Sequence, residues 1–327
     1  MRLRSLRELD EVEQRVLIIN VHTELVSTLA VLSALRHAPG MRVLLVDCDQ
    51  TPAGRDHWDR LTRRWDFDVV GQPLRSHGIA LDHLVPQLRA EVFLKLDSDA
   101  ELRSPTVIPE LLGRFRHPRV FGAGWTEGGW WMNENQNAAP FTAIYHERPW
   151  TQCVVFRSAL VRQALDRGIS FEARVIHNDV RWSRSLSRLM ASRFLGDPHA
   201  PDQPALECLP ERWQLRLRTS RLTALAWARG DFYGNRPNYV FADMGADVYH
   251  WCKYKRAMLF AGLPAKLVRE DDVFHYGGVT RLALDPGQTN GVRLEAIAAG
   301  VRRRLGEVYD VEWESLSALA ARPAAVG

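Results

Sequence analysis

Short apolar runs alternate with stretches of helical periodicity through the first hundred positions. Arg15–Val21 (RVLIINV) is built on the apolar run Val16–Ile19, the pattern of a strand buried on both faces. Leu25–His37 follows as a helix, with Leu25, Leu29, Leu32 and Leu35 on one side and Pro39-Gly40 to stop it. Arg42–Val46 is a second strand, ending on Asp47-Cys48-Asp49. His57–Trp65 reads as a short helix, Phe67–Val70 as a third strand and Ser76-His77-Gly78 as a turn. Ile79–Arg89 is the next helix. It feeds the strand Val92–Leu96, which stops on Asp97-Ser98-Asp99. Strands and helices alternating at these lengths predict right-handed βαβ units, hence an α/β fold on a parallel sheet.

The texture then changes. Gly122–Pro149 carries Trp125, Trp130, Trp131, Asn133, Asn135 and Asn137 among glycines, and reads as a long irregular loop. Flat Trp faces suit sugar rings, and pinning a loop to the core explains the same residues equally well. Gln152–Phe156 is a strand and Ala159–Asp166 a helix. Asn178–Leu195 and Leu215–Arg229 read as amphipathic helices whose Arg-rich faces suit solvent or an anionic membrane. Met244–Ala261 reads as one helix, with Asp243 as N-cap and Gly262 at C′. Pro264–Val268 is expected as an edge strand. From Leu282 onward a tail carries a helix at about Val292–Val308 and a second through Glu312–Ala321.

Composition narrows the class without choosing within it. The chain has 327 residues, 46% hydrophobic and 25% charged, with a net charge of +4. That is globular, and too mildly basic to argue for nucleic acid, for which no motif is present. Cys48, Cys153, Cys208 and Cys252 form no C-x-x-C pair, so neither a zinc motif nor a disulfide framework is indicated. The Arg- and Glu-rich start resembles no secretory signal, and Leu25–Leu35 is too short to span a bilayer. A cytoplasmic protein is expected. No G-x-G-x-x-G follows the first strand and no P-loop occurs, which disfavours dinucleotide and P-loop nucleotide sites.

The candidate chemistry is at the end of the Val92–Leu96 strand. Ligands in open α/β sheets bind beyond the carboxyl ends of strands. Two carboxylates one residue apart give hard oxygen donors for Mg²⁺ or Mn²⁺, although Asp-Ser-Asp is also good turn chemistry. Several pieces in one order resemble the GT-A glycosyltransferases of the family 2 type. They are Asn20-Val21-His22-Thr23-Glu24 after the first strand, Asp47 after the second, Ser76-His77-Gly78 in the place of an Asn-x-Gly turn, and the D-x-D itself. Phe156-Arg157-Ser158, then Asp243, Ala261-Gly262 and His275-Tyr276-Gly277-Gly278 continue the order.

The resemblance implies a GT-A (nucleotide-diphospho-sugar transferase) fold, with a mostly parallel central sheet flanked by helices and a C-terminal helical tail. Residues 1–110 would be the donor half, 111–280 the acceptor half and 281–327 an extension. It implies donor binding by Asn20, His22, Glu24, Asp47, Gly78 and Asp97, and a Mn²⁺ or Mg²⁺ ion on Asp97, Asp99 and His275. Asp243 would be the catalytic base, with Asp247 and Asp179 as competitors, because Ala242-Asp243 stands where Glu-Asp is commonest. The implied reaction is inverting transfer from a UDP- or dTDP-sugar to an acceptor hydroxyl. The acceptor and the oligomeric state are not legible, and peripheral contact with the inner membrane face is compatible. A nucleotidyltransferase on a similar sheet and a non-catalytic scaffold are the alternatives. The former usually carries a basic Gly-rich loop after the first strand, and Asn20–Glu24 is not one.

Overall fold

The computed structural model describes residues 1–48, 50–127, 142–145, 148–177, 238–263, 271–277, 279 and 288–313. The expected helices Asn178–Leu195 and Leu215–Arg229, the strand Pro264–Val268, Asp179 and nearly all of Glu312–Ala321 lie outside them.

The strands β1 (Arg2–Leu3), β2 (Val12–Asn20), β3 (Arg42–Asp47), β4 (Asp68–Gly71) and β5 (Ala90–Leu96) are joined by parallel pairing in the order β1-β4-β3-β2-β5. The sheet continues through β9 (Arg148–Arg157), β7 (Val120–Glu127) and β12 (Leu259–Gly262). β9 runs antiparallel to both its neighbours, and β12 pairs parallel to β7. A mixed α/β architecture with a mostly parallel sheet is therefore present, as the alternation predicted. β8 (Thr142–Tyr145), β10 (Arg174–His177) and β11 (Asn238–Ala242) form a small second sheet. β6 (Ala100–Leu102) and β13 (Val273–His275) form an antiparallel pair.

Alternation along β2 shows how the sheet is covered. Val16 and Ile18 join the core on one face, while Leu17 and Ile19 join the core on the other. α1 (Glu24–His37) and α4 (Val107–Arg114) cover the first face. α3 (His77–Leu84) and α5 (Ser158–Leu165) cover the second. A third cluster joins Val26, Leu29 and Leu32 of α1 to Val301 and Leu305 of α7 (Gln288–Tyr309). Among the described residues no helix is long and apolar enough to cross a membrane.

Several local readings are corrected. α2 spans Pro52–Arg64 and begins a turn earlier than His57, because Thr51 caps it by accepting from the Gly54 amide at 3.0 Å. Ser76-His77-Gly78 is the start of α3 rather than a free turn, with Ser76 as its N-cap. α3 stops at Leu84 and passes into a 3₁₀ turn at Val85–Gln87, where Pro86 disfavours a longer helix. Gly122–Glu127, expected as loop, is most of β7. Its glycines let neighbours close in: a Cβ on Gly122 would lie 2.8 Å from the Phe260 ring. The helix expected over Met244–Ala261 is short. α6 (Ala246–His250) is capped by Gly245, widens into a π-turn at Trp251–Lys255 and ends there. Leu259–Gly262 leaves it to pair with β7, so Gly262 is a strand residue and not a C′ glycine. Sheet pairing, with Phe260 packed on Phe121 and Tyr249, won over helical periodicity.

Gly78 has a packing role that its sequence context did not disclose. A Cβ there would fall 2.4 Å from the Cα of Glu172 and 2.8 Å from the carbonyl carbon of Phe171. The obstacle is backbone, so it yields poorly. Gly78→Ala is expected to cost about 1–3 kcal/mol or more, measured by urea unfolding. A variant as stable as the wild type would contradict this packing.

His57 is fully buried among α1, α2 and Trp313. The Thr28 hydroxyl donates to the Glu24 carbonyl. His57 Nε2, 2.8 Å from Thr28 Oγ1, is therefore the donor of that second bond. Its Nδ1 has no hydrogen-bond partner among the described residues. Burial, and then Arg60, push its pKa down to about 3 from 6.5. The unfolded chain therefore takes up this proton first, and stability falls as pH drops from 6.5 towards 3. The slope is up to about 1.4 kcal/mol per pH unit for one proton. His57→Gln keeps a donor for Thr28, and a melting-temperature series against pH should flatten by that slope.

Candidate active site

β5 brings Asp97 to the carboxyl edge of the sheet, where its amide donates to the Gln152 carbonyl of β9 at 2.9 Å. The chain turns through Ser98 and Asp99 and leaves as β6. β13 pairs antiparallel with β6 in a register that sets His275 opposite Ala100. This register delivers His275 to the D-x-D. Its Nε2 lies 3.1 Å from Asp99 Oδ1 and 3.8 Å from Asp97 Oδ2. One ligand atom from each of the three residues falls within 4.8 Å of the others. Donors around an ion at about 2.1 Å in octahedral geometry stand about 3 Å apart, so this oxygen–oxygen–nitrogen set could hold a divalent ion once its atoms draw closer together.

Asp99 is 6% exposed. Burial alone would raise its pKa. The His275 hydrogen bond and charge, with the Val279 amide 2.9 Å from Oδ2, hold it below the usual carboxylate value. Burial likewise lowers His275, and Asp99 and Asp97 overcome this and raise it. The Tyr276 amide also donates to the Asp99 carbonyl at 2.8 Å, which ties the far end of the turn to the segment that carries His275. Asp97 has two further neighbours. The Lys95 ammonium contacts its Oδ1, and His77 Nε2 lies 4.0 Å from the same oxygen.

The ends of β2 and β3 are bound together by Asn20. Its Oδ1 accepts from the Thr23 amide at 3.3 Å, Thr23 Oγ1 at 3.1 Å and Ser27 Oγ at 2.8 Å. Its Nδ2 donates to Asp47 Oδ1 at 3.1 Å. Thr23 Oγ1, its proton given to Asn20, lies 3.4 Å from Ser98 Oγ and can accept from that hydroxyl, which couples this loop to the D-x-D turn. His22 and Gln50 flank it with positive φ of 53° and 49°. Side chains with a Cβ adopt such conformations sparingly. Asp47 is fully buried, and Glu24 is buried at the first position of α1.

Of the acid candidates, Asp243 is 28% exposed and pairs with Arg148 Nη2 at 3.1 Å. Its Oδ1 accepts from the Met244 amide at 2.7 Å. Arg148 and Trp150 alternate onto one face of β9. The Trp150 ring meets the His275 ring at 6.2 Å. The Arg148–Asp243 pair is thus two residues along β9 from the Trp150 ring that meets His275. Asp247 is in the first turn of α6. Glu101, one pleat beyond the D-x-D, is fully buried and binds β6 to α7 through Arg304 Nε at 2.7 Å.

Sequence reasoning assigned no role to Lys95, His77, Arg148 or Glu101. A lysine inside an apolar strand is a visible anomaly. The other three are ordinary polar residues until the chain folds.

No protein-family model matches this chain, and no curated protein does. Solved structures do. Residues 1–349 of S. aureus TarS match at 12% identity and a TM-score of 0.35, over 95% of this chain and 76% of that one. A mannosyltransferase from Pyrobaculum calidifontis in complex with GDP-Man and Mn²⁺ matches at 12% identity and 0.34, over 94% and 79%. The 4-diphosphocytidyl-2C-methyl-D-erythritol synthase of Anaerococcus prevotii matches at 10% identity and 0.35, over 49% and 77%. At these scores the functional reading is carried by the site's own geometry.

Proposed function

We propose that this chain is a glycosyltransferase of the GT-A type that moves a sugar from a nucleotide-diphosphate sugar to an acceptor hydroxyl. The observation that carries the reading is the meeting of Asp97, Asp99 and His275 at the carboxyl edge of a parallel sheet, although His275 stands far from the other two in sequence. That edge is where α/β folds hold nucleotides. A divalent ion bound there supplies a Lewis acid for the charge that grows on the leaving diphosphate. Asp99 and His275 would hold it, with one oxygen of Asp97. Asn20, His22, Glu24 and Asp47 line the loop ends that would seat the nucleoside of a UDP- or dTDP-sugar. Gly78 supports that side by letting α3 sit against the 171–172 backbone.

Asp243 is the base in this reading. It takes the acceptor proton as the hydroxyl attacks C1, and a single displacement inverts that centre. Arg148 fixes the carboxylate's direction. Asp243→Asn is expected to lower kcat about 10²–10⁴-fold while donor affinity stays within about twofold. Asp247→Asn should remain close to wild type. If Asp247→Asn or Asp179→Asn carries the loss instead, the base assignment moves there.

The reading itself is tested by calorimetry with a panel of nucleotide-diphosphate sugars, with and without Mn²⁺. Ion-dependent binding of one donor, and release of its diphosphate when an acceptor is added, are expected. Binding confined to nucleoside triphosphates would favour a nucleotidyltransferase.

A further inference from the structure

We propose that Lys95 is a built-in cation of the donor site, which caps one oxygen of Asp97 and keeps the ion loosely held until a diphosphate arrives. The inference rests on the metal-site reading above and adds a residue that reading does not use.

Lys95 sits between Leu94 and Leu96 on β5 and is 2% exposed. A buried ammonium is tolerated only when it is paired. Its partner is Asp97, two residues on along the strand and therefore on the same face. The contact is to Oδ1. The other oxygen, Oδ2, is the one that faces His275 at 3.8 Å. Asp99 is treated likewise: Val279 occupies Oδ2, and Oδ1 faces His275 at 3.1 Å. Each carboxylate is thus left with one oxygen for the ion. Three single-atom protein ligands leave half of an octahedral shell for phosphate oxygens and water.

Charge points the same way. Two carboxylates beside a fixed ammonium carry one net negative charge, where a bare D-x-D with neutral His275 would carry two. A divalent ion is attracted correspondingly less at a site whose carboxylates are this buried, Asp97 at 15% and Asp99 at 8% side-chain exposure. The negative charge that is missing is what a diphosphate brings. Lys95 therefore makes ion and diphosphate binding strongly interdependent.

The test is a Mn²⁺ titration by calorimetry at fixed ionic strength, first alone and then with inorganic pyrophosphate. Wild type is compared with Lys95→Met, Lys95→Gln and Lys95→Arg, after a melting curve for each. Lys95→Met should bind Mn²⁺ alone at least tenfold more tightly and lose most of the enhancement by pyrophosphate. Lys95→Gln keeps a donor for Asp97 while removing the charge, and serves if the Met variant does not fold. Lys95→Arg should stay within about threefold of wild type. Unchanged or weaker binding in the neutral variants, with wild type binding normally, overturns the role of Lys95 and leaves the metal site standing. Absence of Mn²⁺ binding in folded wild type and variants alike overturns the metal site and this role together.

Discussion

Asp99→Asn is expected to lower turnover about 10²–10³-fold or more, the loss typical of removing one preorganised electrostatic contact to the reacting group. The side chain keeps its shape, and its oxygen can still accept from the Val279 amide, now 2.9 Å away. What disappears is the anionic oxygen 3.1 Å from His275 Nε2, the shorter of the two carboxylate–imidazole contacts in the ligand cluster. Mn²⁺ should then fail to strengthen donor binding, as read by calorimetry. Asp99→Ala should do the same and also leave the Val279 amide without that acceptor. Turnover within tenfold of wild type, still responsive to Mn²⁺, would remove Asp99 from the metal site.

Glu101→Ala carries the largest expected loss of stability. Each carboxylate oxygen accepts from one arginine and one tyrosine. Oε2 accepts from Arg103 Nε at 2.9 Å and Tyr276 OH at 3.1 Å, and Oε1 from Arg304 Nε at 2.7 Å and Tyr309 OH at 3.4 Å. Burial, and then Glu101, push Tyr276 up to about 12 and raise Tyr309 as well, so both phenols remain donors at any working pH. Removing this anion takes one shared carboxylate partner from two guanidinium groups, Arg103 and Arg304. Breaking a buried pair costs about 3–5 kcal/mol. Arg103 and Arg304 are 26% and 34% exposed. Water therefore replaces part of the lost partner, and the lower end of that range applies. Glu101→Gln, which still accepts hydrogen bonds, should lose less. Urea unfolding measures both. Because Tyr276 follows His275, the alanine variant should also weaken Mn²⁺ binding, and unchanged stability would refute the clamp.

The reach of the sequence can be followed residue by residue. β2, β3 and β5 are legible because a strand buried on both faces carries a nearly continuous apolar run, and that pattern is local. α1 and α5 were legible from periodicity. The D-x-D was visible at its strand end, and His275 was placed beside it only through a family resemblance. The sequence pattern at β12 fits a helix because Met258, Leu259 and Phe260 satisfy both periods over so short a run. The partner strand that decides between them begins at Val120, far away in sequence.

Sequence alone determined the alternating α/β plan, the carboxylate pair and the strand that presents it. These depend on neighbours within a few residues, where backbone geometry sets the period. Tertiary structure decided which oxygens of Asp97 and Asp99 remain open, that Lys95 faces one of the four, that Arg148 holds Asp243 and that Glu101 joins the site to α7. Those are pairings between charges on distant segments. Their partners are chosen by strand register and by the cost of burying a charge alone, and neither is written in local order.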